Sequence, residues 1–362
     1  MSVRSKLWEH RSRIYPLVLV ATMFAVWWYR QEFPSEPPQP EDSVGVEVNE
    51  EYSLISITGV TFGTVSYNVQ YLDNQLRNLK PNIDSVLQRF NESLSTYLPT
   101  SEISRFNQEG LIKYELPFFY PVLQASKLVY DQTGGAFDPT VGPLIDAWGF
   151  GPEAPVFPDS GLVDSLLTFV SFDSVFFDSI SVCRLRSGIE LSFSAIAKGQ
   201  GVDVVADYLR GQGLENLFVE IGGEIVASGH FIQDKPWVIG IEDPTAALDD
   251  RRPVVRVQLR DRGVATSGNY RNFYVRKGKR YAHTLDPNSG YPVEHSLLSA
   301  TVFASNCMLA DAYATAFMVM GTTATQDFLA GHPELDAILI YDNGQEALST
   351  YYTEGIQSAV LQ

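Results

Sequence analysis

Near the C-terminal end of the chain, Ala310-Asp-Ala-Tyr-Ala-Thr315 sets a carboxylate and a hydroxyl four residues apart. On a helix that spacing puts Asp311 and Thr315 on the same face. Such an oxygen pair suits a hard cation such as Mg²⁺, whose shell is usually completed by backbone carbonyls, waters and phosphate oxygens. A plainer reading also fits, with Asp311 capping the helix and Thr315 packed in the core. A second segment, Ser192-Phe-Ser-Ala-Ile-Ala-Lys-Gly199, is a run of small residues leading into a helix. Its free backbone groups can approach a phosphate or a metal, and Lys198 could neutralise a pyrophosphate, although a solvated surface lysine accounts for it as well. The GxxxxGK[ST] order of a P-loop is absent.

Three further loops carry exposed backbone. Gly134-Gly-Ala-Phe-Asp-Pro-Thr-Val-Gly-Pro143, followed by Trp148-Gly-Phe150, combines glycines, aromatics and one acid, a mixture that suits a planar ring system or a rigid connection around a core tryptophan. Ala265-Thr-Ser-Gly-Asn-Tyr270 and His283-Thr-Leu-Asp-Pro-Asn-Ser-Gly290 have the same character. His283 is one of five histidines and lies beside an Asp-Pro loop; it is read either as a structural histidine or, since imidazole titrates near neutral pH, as the candidate base.

The elements that must position these residues can be read from periodicity. Alternating apolar residues from Leu54 to Val69 predict two strands joined near Gly59, with folded structure beginning near Tyr52. Ile83, Val86, Leu87 and Phe90 mark one face of a helix. Helices are also predicted over 101–107, 118–131 (ending at Gly134-Gly135), 195–209 (closed by Gly211) and 308–320. Strands are predicted over 217–221, 237–241, 254–259 and 337–341, with a hairpin over 273–283 turning at Lys277-Gly278. Helices and strands intersperse without a βαβ repeat, which predicts an α+β fold with mixed sheets and packed helices.

The chain has 362 residues, 45% of them hydrophobic, enough for one catalytic domain over 52–362. A formal net charge of −17 argues against nucleic acid, and an anionic cofactor would need a local metal ion. Cys183 and Cys307 make no disulfide framework and are read as two buried thiols. Residues 1–32 begin with Arg4, Lys6, Arg11 and Arg13 and continue with an apolar run over 15–29 ending in Trp27-Trp28-Tyr29. This is read as a cytoplasmic N-terminus and one uncleaved transmembrane helix, with a cleaved signal peptide as the alternative, and with the globular part on the periplasmic side of a bacterial inner membrane. Residues 33–51, rich in proline and acid, are read as a semi-rigid linker.

Taken in order, nine segments resemble the ApbE family of FAD:protein FMN transferases over roughly 55–345. They are Phe62-Gly-Thr64, Ser95-Thr-Tyr97 with Ser101 to Asn107, Gly135 to Thr140, Trp148 to Phe150, Ala195 to Gly199, Gly222-Gly223, Ala265 to Gly268, His283 to Pro287 with Gly290, and Ala310-Asp311 with Ala314-Thr315. The resemblance implies that Asp311, Thr315 and the backbone carbonyl of Ala195 hold Mg²⁺. It also implies that Phe62, Tyr97, Ala136, Phe137, Asp138, Ser192, Lys198 and Leu285 line the FAD site. The implied reaction moves FMN from FAD to a Thr or Ser hydroxyl of an acceptor protein and releases AMP, with subunits of membrane redox complexes as acceptors. Two rival readings are a Mg²⁺-dependent FAD pyrophosphatase and a periplasmic flavin carrier. Phe62 stands where the family usually has Met, and Ser192 where many members have Asp.

Overall fold

The computed structural model describes residues 42–48, 52–150, 156–246, 252–269, 273–276, 279–345 and 347–361. Both the apolar run at 15–29 and most of the linker lie outside them. Among the described residues no helix is long and apolar enough to cross a membrane.

A nine-stranded sheet forms the frame. Its strands lie in the order Ser43–Val48, Ser53–Thr61, Val65–Leu72, Leu217–Ile221, Glu224–Ser228, Arg262–Gly268, Leu297–Ala304, Asp336–Tyr341 and Ser349–Tyr352. Every pairing among these strands is antiparallel, where mixed sheets were expected. The α+β assignment holds.

Side chains alternate across this sheet with period two. Val264, Phe303, Ile338 and Ile340 point to one side and pack on a three-stranded sheet that brings Trp237, Ile239, Val255 and Val257. Ala265, Ala300, Val302, Ala337 and Leu339 point to the other side. There they meet the helix Cys307–Ala330, whose run of Ala310, Ala312, Ala314 and Ala316 lets its backbone come close to the strands. The helices Lys80–Leu94 and Ala197–Gly211 cover the adjoining strands through Ile83, Leu87, Val202, Val205 and Leu209, packed on Ile55, Ile57, Val69 and Val219.

The predicted helices are found close to their expected bounds, at Lys80–Leu94, Glu102–Glu109, Phe119–Gln132 and Ala197–Gly211. The long helix breaks at Gly321, whose φ of 77° and ψ of 177° are non-helical, so its first section ends where the sequence predicts. Four readings need correction. Strand pairing already begins at Ser43, before Tyr52, because that strand pairs with Ser53–Thr58. The first turn lies at Phe62-Gly63-Thr64 rather than at Gly59, which sits within a strand with no room for a side chain beside the Tyr67 ring. The segment 265–268, read as an exposed loop, is the end of a central strand. Residues 142–148 within the glycine-punctuated stretch form a short helix. Of the cysteines, Cys307 is buried and Cys183 only half-buried, and neither is in a disulfide.

The two helices Ala197–Gly211 and Cys307–Ala330 approach closely at Gly199. A Cβ there would lie 2.3 Å from the carbonyl oxygen of Cys307 and 2.9 Å from Asp311 Cβ. Because the opposing atoms are backbone, they cannot rotate away. The substitution Gly199→Ala should therefore cost about 1–3 kcal/mol, measured by chemical denaturation, and a stability loss near zero would show that the two helices can part freely.

Candidate active site

Two helices converge at their N-terminal ends, and each end is held by a carboxylate from the other. Asp203, on Ala197–Gly211, accepts backbone hydrogen bonds from Cys307 at 2.9 Å and Met308 at 2.8 Å. Asn306 caps the same end by accepting from Leu309 N at 2.9 Å. In return, Asp311 Oδ2 accepts from Gly199 N at 3.0 Å. These bonds satisfy helix-end donors that otherwise have no intrahelical partner. They also bring Asp311 beside Lys198, one residue before Gly199.

Asp311 is only 3% exposed, yet it borders a cavity of about 480 Å³. Thr315, one turn along, borders the same cavity, and its Oγ1 lies 3.3 Å from Ser267 Oγ. So do Ala195, Lys198, Glu224, Thr266 and His283. Lys198 Nζ lies 2.5 Å from Glu224 Oε1 and 3.8 Å from Asp311 Oδ1. Burial pushes the Glu224 carboxyl up, against the pull of Lys198, and the two carboxylates together hold the Lys198 ammonium above its usual range.

Most of the residues anticipated for a flavin nucleotide border this cavity: Ala136, Phe137, Asp138, Ser192, Lys198 and Leu285. Asp138 is engaged internally, accepting from Thr140 N at 2.7 Å and Thr140 Oγ1 at 2.6 Å. Burial raises its pKa against those bonds. Trp148 is a core residue, packed with Leu144 and Leu285 and donating to Gly290 O at 2.9 Å. Phe150 meets the half-buried His283 ring edge-on, with centroids 6.3 Å apart.

Phe62 and Tyr97 are found elsewhere, in a second cavity of about 780 Å³. Phe62 is backed by Phe90, with centroids 5.5 Å apart, while Tyr97 stands at the rim, 83% exposed. Ser194 and Lys198 border both cavities. A dinucleotide could thus place one ring system in each and its pyrophosphate over Lys198.

The donor set fits a divalent cation of the hard class. One buried carboxylate and one hydroxyl meet beside the Ala195 segment, and all offer oxygen. Among the described residues there is no cluster of three His, Cys, Asp or Glu side chains. Neutral oxygens and substrate phosphates would therefore have to complete the shell.

The family model described as "ApbE family" matches residues 62–339. The chain belongs to the ApbE family. It is 38% identical over 278 residues to the "FAD:protein FMN transferase" of Vibrio cholerae, covering 74% of this chain and 81% of that protein. It is 37% identical over 285 residues to the protein of the same name from Haemophilus influenzae, covering 75% and 82%. The solved "Flavin Transferase ApbE from Vibrio cholerae" superposes with a TM-score of 0.75 at 33% identity, covering 85% of this chain and 99% of that one. For the apo form of Pseudomonas stutzeri flavinyl transferase ApbE, the TM-score is 0.77 at 30% identity, with 86% and 98% covered.

Thr266 and Ser267 lie in the segment Ala265 to Gly268 that the sequence singled out without giving them roles, whereas sequence reasoning missed Glu224 and Asp203 in this ApbE site. Only Glu224 left a local signal, as an acid directly after Gly222-Gly223 at the start of a strand.

Burial lifts the Asp203 carboxyl to about 7, outweighing the two backbone bonds. A carboxyl with a raised native pKa binds more protons folded than unfolded, so its stabilising share is full below the unfolded value of about 4 and is lost as pH rises through about 7. The melting temperature of the native chain minus that of Asp203→Asn should fall across that window, and a flat difference would refute the assignment.

Proposed function

We propose that this chain is a FAD:protein FMN transferase, which moves the FMN half of FAD onto a hydroxyl of an acceptor protein and releases AMP. The observation that carries the reading is Lys198 bridging two cavities, with Asp311, Thr315 and His283 gathered at one of them. In the step proposed, a bond forms between the acceptor oxygen and the FMN phosphorus, the P–O–P bond breaks, and AMP leaves with the bonding electron pair. Lys198 offsets the charge of the pyrophosphate. His283 takes the proton of the acceptor hydroxyl.

Asp311, Thr315 and the Ala195 carbonyl would hold Mg²⁺. When bound, the ion supplies electrostatic neutralisation of the phosphoryl oxygens. The reading is supported by the buried carboxylate and by the hydroxyl one turn along the same helix, both bordering the cavity.

Phe62 gives the second cavity a stiff wall in place of the family's usual Met, and Phe90 buttresses it. We further place the catalytic unit on the periplasmic side of a bacterial inner membrane, tethered by residues 1–32, close to acceptors that belong to membrane redox complexes. The basic start and the apolar run at 15–29 support this placement.

Incubating the protein with FAD, Mg²⁺ and a flavin-acceptor protein should add the mass of FMN to one Thr or Ser of the acceptor. Free FMN and AMP without modified acceptor would mean hydrolysis instead, and intact FAD would mean a carrier. His283→Ala should keep FAD binding while slowing transfer by about 10²–10⁴-fold, and an unchanged rate at saturating FAD would remove it as the base. Asp311→Ala should abolish the dependence on Mg²⁺, and full Mg²⁺-stimulated activity would refute the metal position.

A further inference from the structure

Lys198 stands between two carboxylates, Glu224 and Asp311. Glu224 is 3% exposed and holds Lys198 Nζ through Oε1 at 2.5 Å, while Asp311 Oδ1 lies farther off at 3.8 Å. Asp311 Oδ2 is occupied by Gly199 N, so Oδ1 is the oxygen left for a cation. An ammonium resting on Oδ1 would neutralise it and repel a divalent ion.

The place of Glu224 is set by the turn before it. Gly222 and Gly223 have φ of 62° and 100°, values that favour glycine. A Cβ on Gly222 would lie 2.8 Å from Val65 Cγ1, 3.5 Å from Lys198 Cδ and 3.6 Å from Glu224 Oε2. The turn thus brings the lysine stem and the carboxylate side by side. Glu224 Oε2 is buried with no hydrogen-bond partner among the described residues, although the residue borders the cavity. A buried carboxylate with half its acceptors unused is costly, so its presence calls for a role beyond filling space.

We propose that Glu224 is a positioning residue that holds Lys198 off Asp311, keeping the carboxylate open for the divalent cation and the ammonium free to face the pyrophosphate. The proposal rests on the metal reading given above. It assigns Glu224 no contact with the reacting atoms. Without Glu224 the nearest anion for the lysine is Asp311, already 3.8 Å away, and the ion pair tightened there competes with Mg²⁺.

The test is Mg²⁺ binding to the FAD-free full chain, read by isothermal titration calorimetry, with thermal melts to confirm folding. Glu224→Gln, which keeps shape and removes charge, should weaken Mg²⁺ binding by roughly tenfold. Lys198→Met alone should bind Mg²⁺ at least as tightly as the native chain. In the Lys198→Met background, Glu224→Gln should have no further effect, since the competitor is gone. Native-like binding by folded Glu224→Gln, or an equal loss in both backgrounds, would overturn the proposal. Should Glu224→Gln not fold, weaker binding by Lys198→Met alone would overturn it and tighter binding would support it. Asp311→Asn separates the two readings. Lost Mg²⁺ binding there with none lost in Glu224→Gln sinks only the role of Glu224, whereas retained binding in Asp311→Asn removes the metal position and this role together.

Discussion

Two helix ends, each closed by an acid from the other helix, fix the geometry on which the rest of this protein depends. Asp203 serves Cys307 and Met308, and Asp311 serves Gly199. Helix N-termini carry unpaired amides and a partial positive charge, so a carboxylate at each end is favoured on both counts. The contact is close because Gly199 has no side chain to hold the helices apart. As a result Lys198 and Asp311, 113 positions apart in the chain, become neighbours.

That arrangement places a charge problem at the centre of the site. The chain is strongly acidic, with a net charge of −17, and its substrate in this reading is an anion. Attraction over long range is therefore unfavourable, and local cations must compensate. Lys198 supplies one positive charge at the meeting of the two cavities. In that reading the oxygen pair Asp311 and Thr315 would hold a second. Glu224 keeps these two cations from cancelling one another's partner.

The chain aligns over nearly the full length of its solved ApbE relatives. At the two positions where the sequence departs from the pattern expected of the family, Phe62 packs at a tilt against the Phe90 ring, and Ser192 Oγ lies 3.2 Å from Ser194 Oγ.

The amino-acid sequence by itself determined the local elements and the chemistry they could carry. Spacing put Asp311 and Thr315 on one helical face, and apolar periodicity placed the helices Lys80–Leu94, Phe119–Gln132 and Ala197–Gly211, because these signals repeat within a few residues. The ordered small-residue segments named the family. Sequence did not reveal that 262–268 is a central strand, since Ala-Thr-Ser-Gly has weak strand preference and is held by pairing with Ala300 and Thr301 from a distant segment. Nor could it reveal Asp203 as the clasp of a helix more than a hundred residues away, Glu224 as the partner of Lys198, or the separation of Phe62 and Tyr97 into their own cavity. Those facts depend on which surfaces meet when the sheet is covered, and no short-range pattern in the chain encodes that meeting.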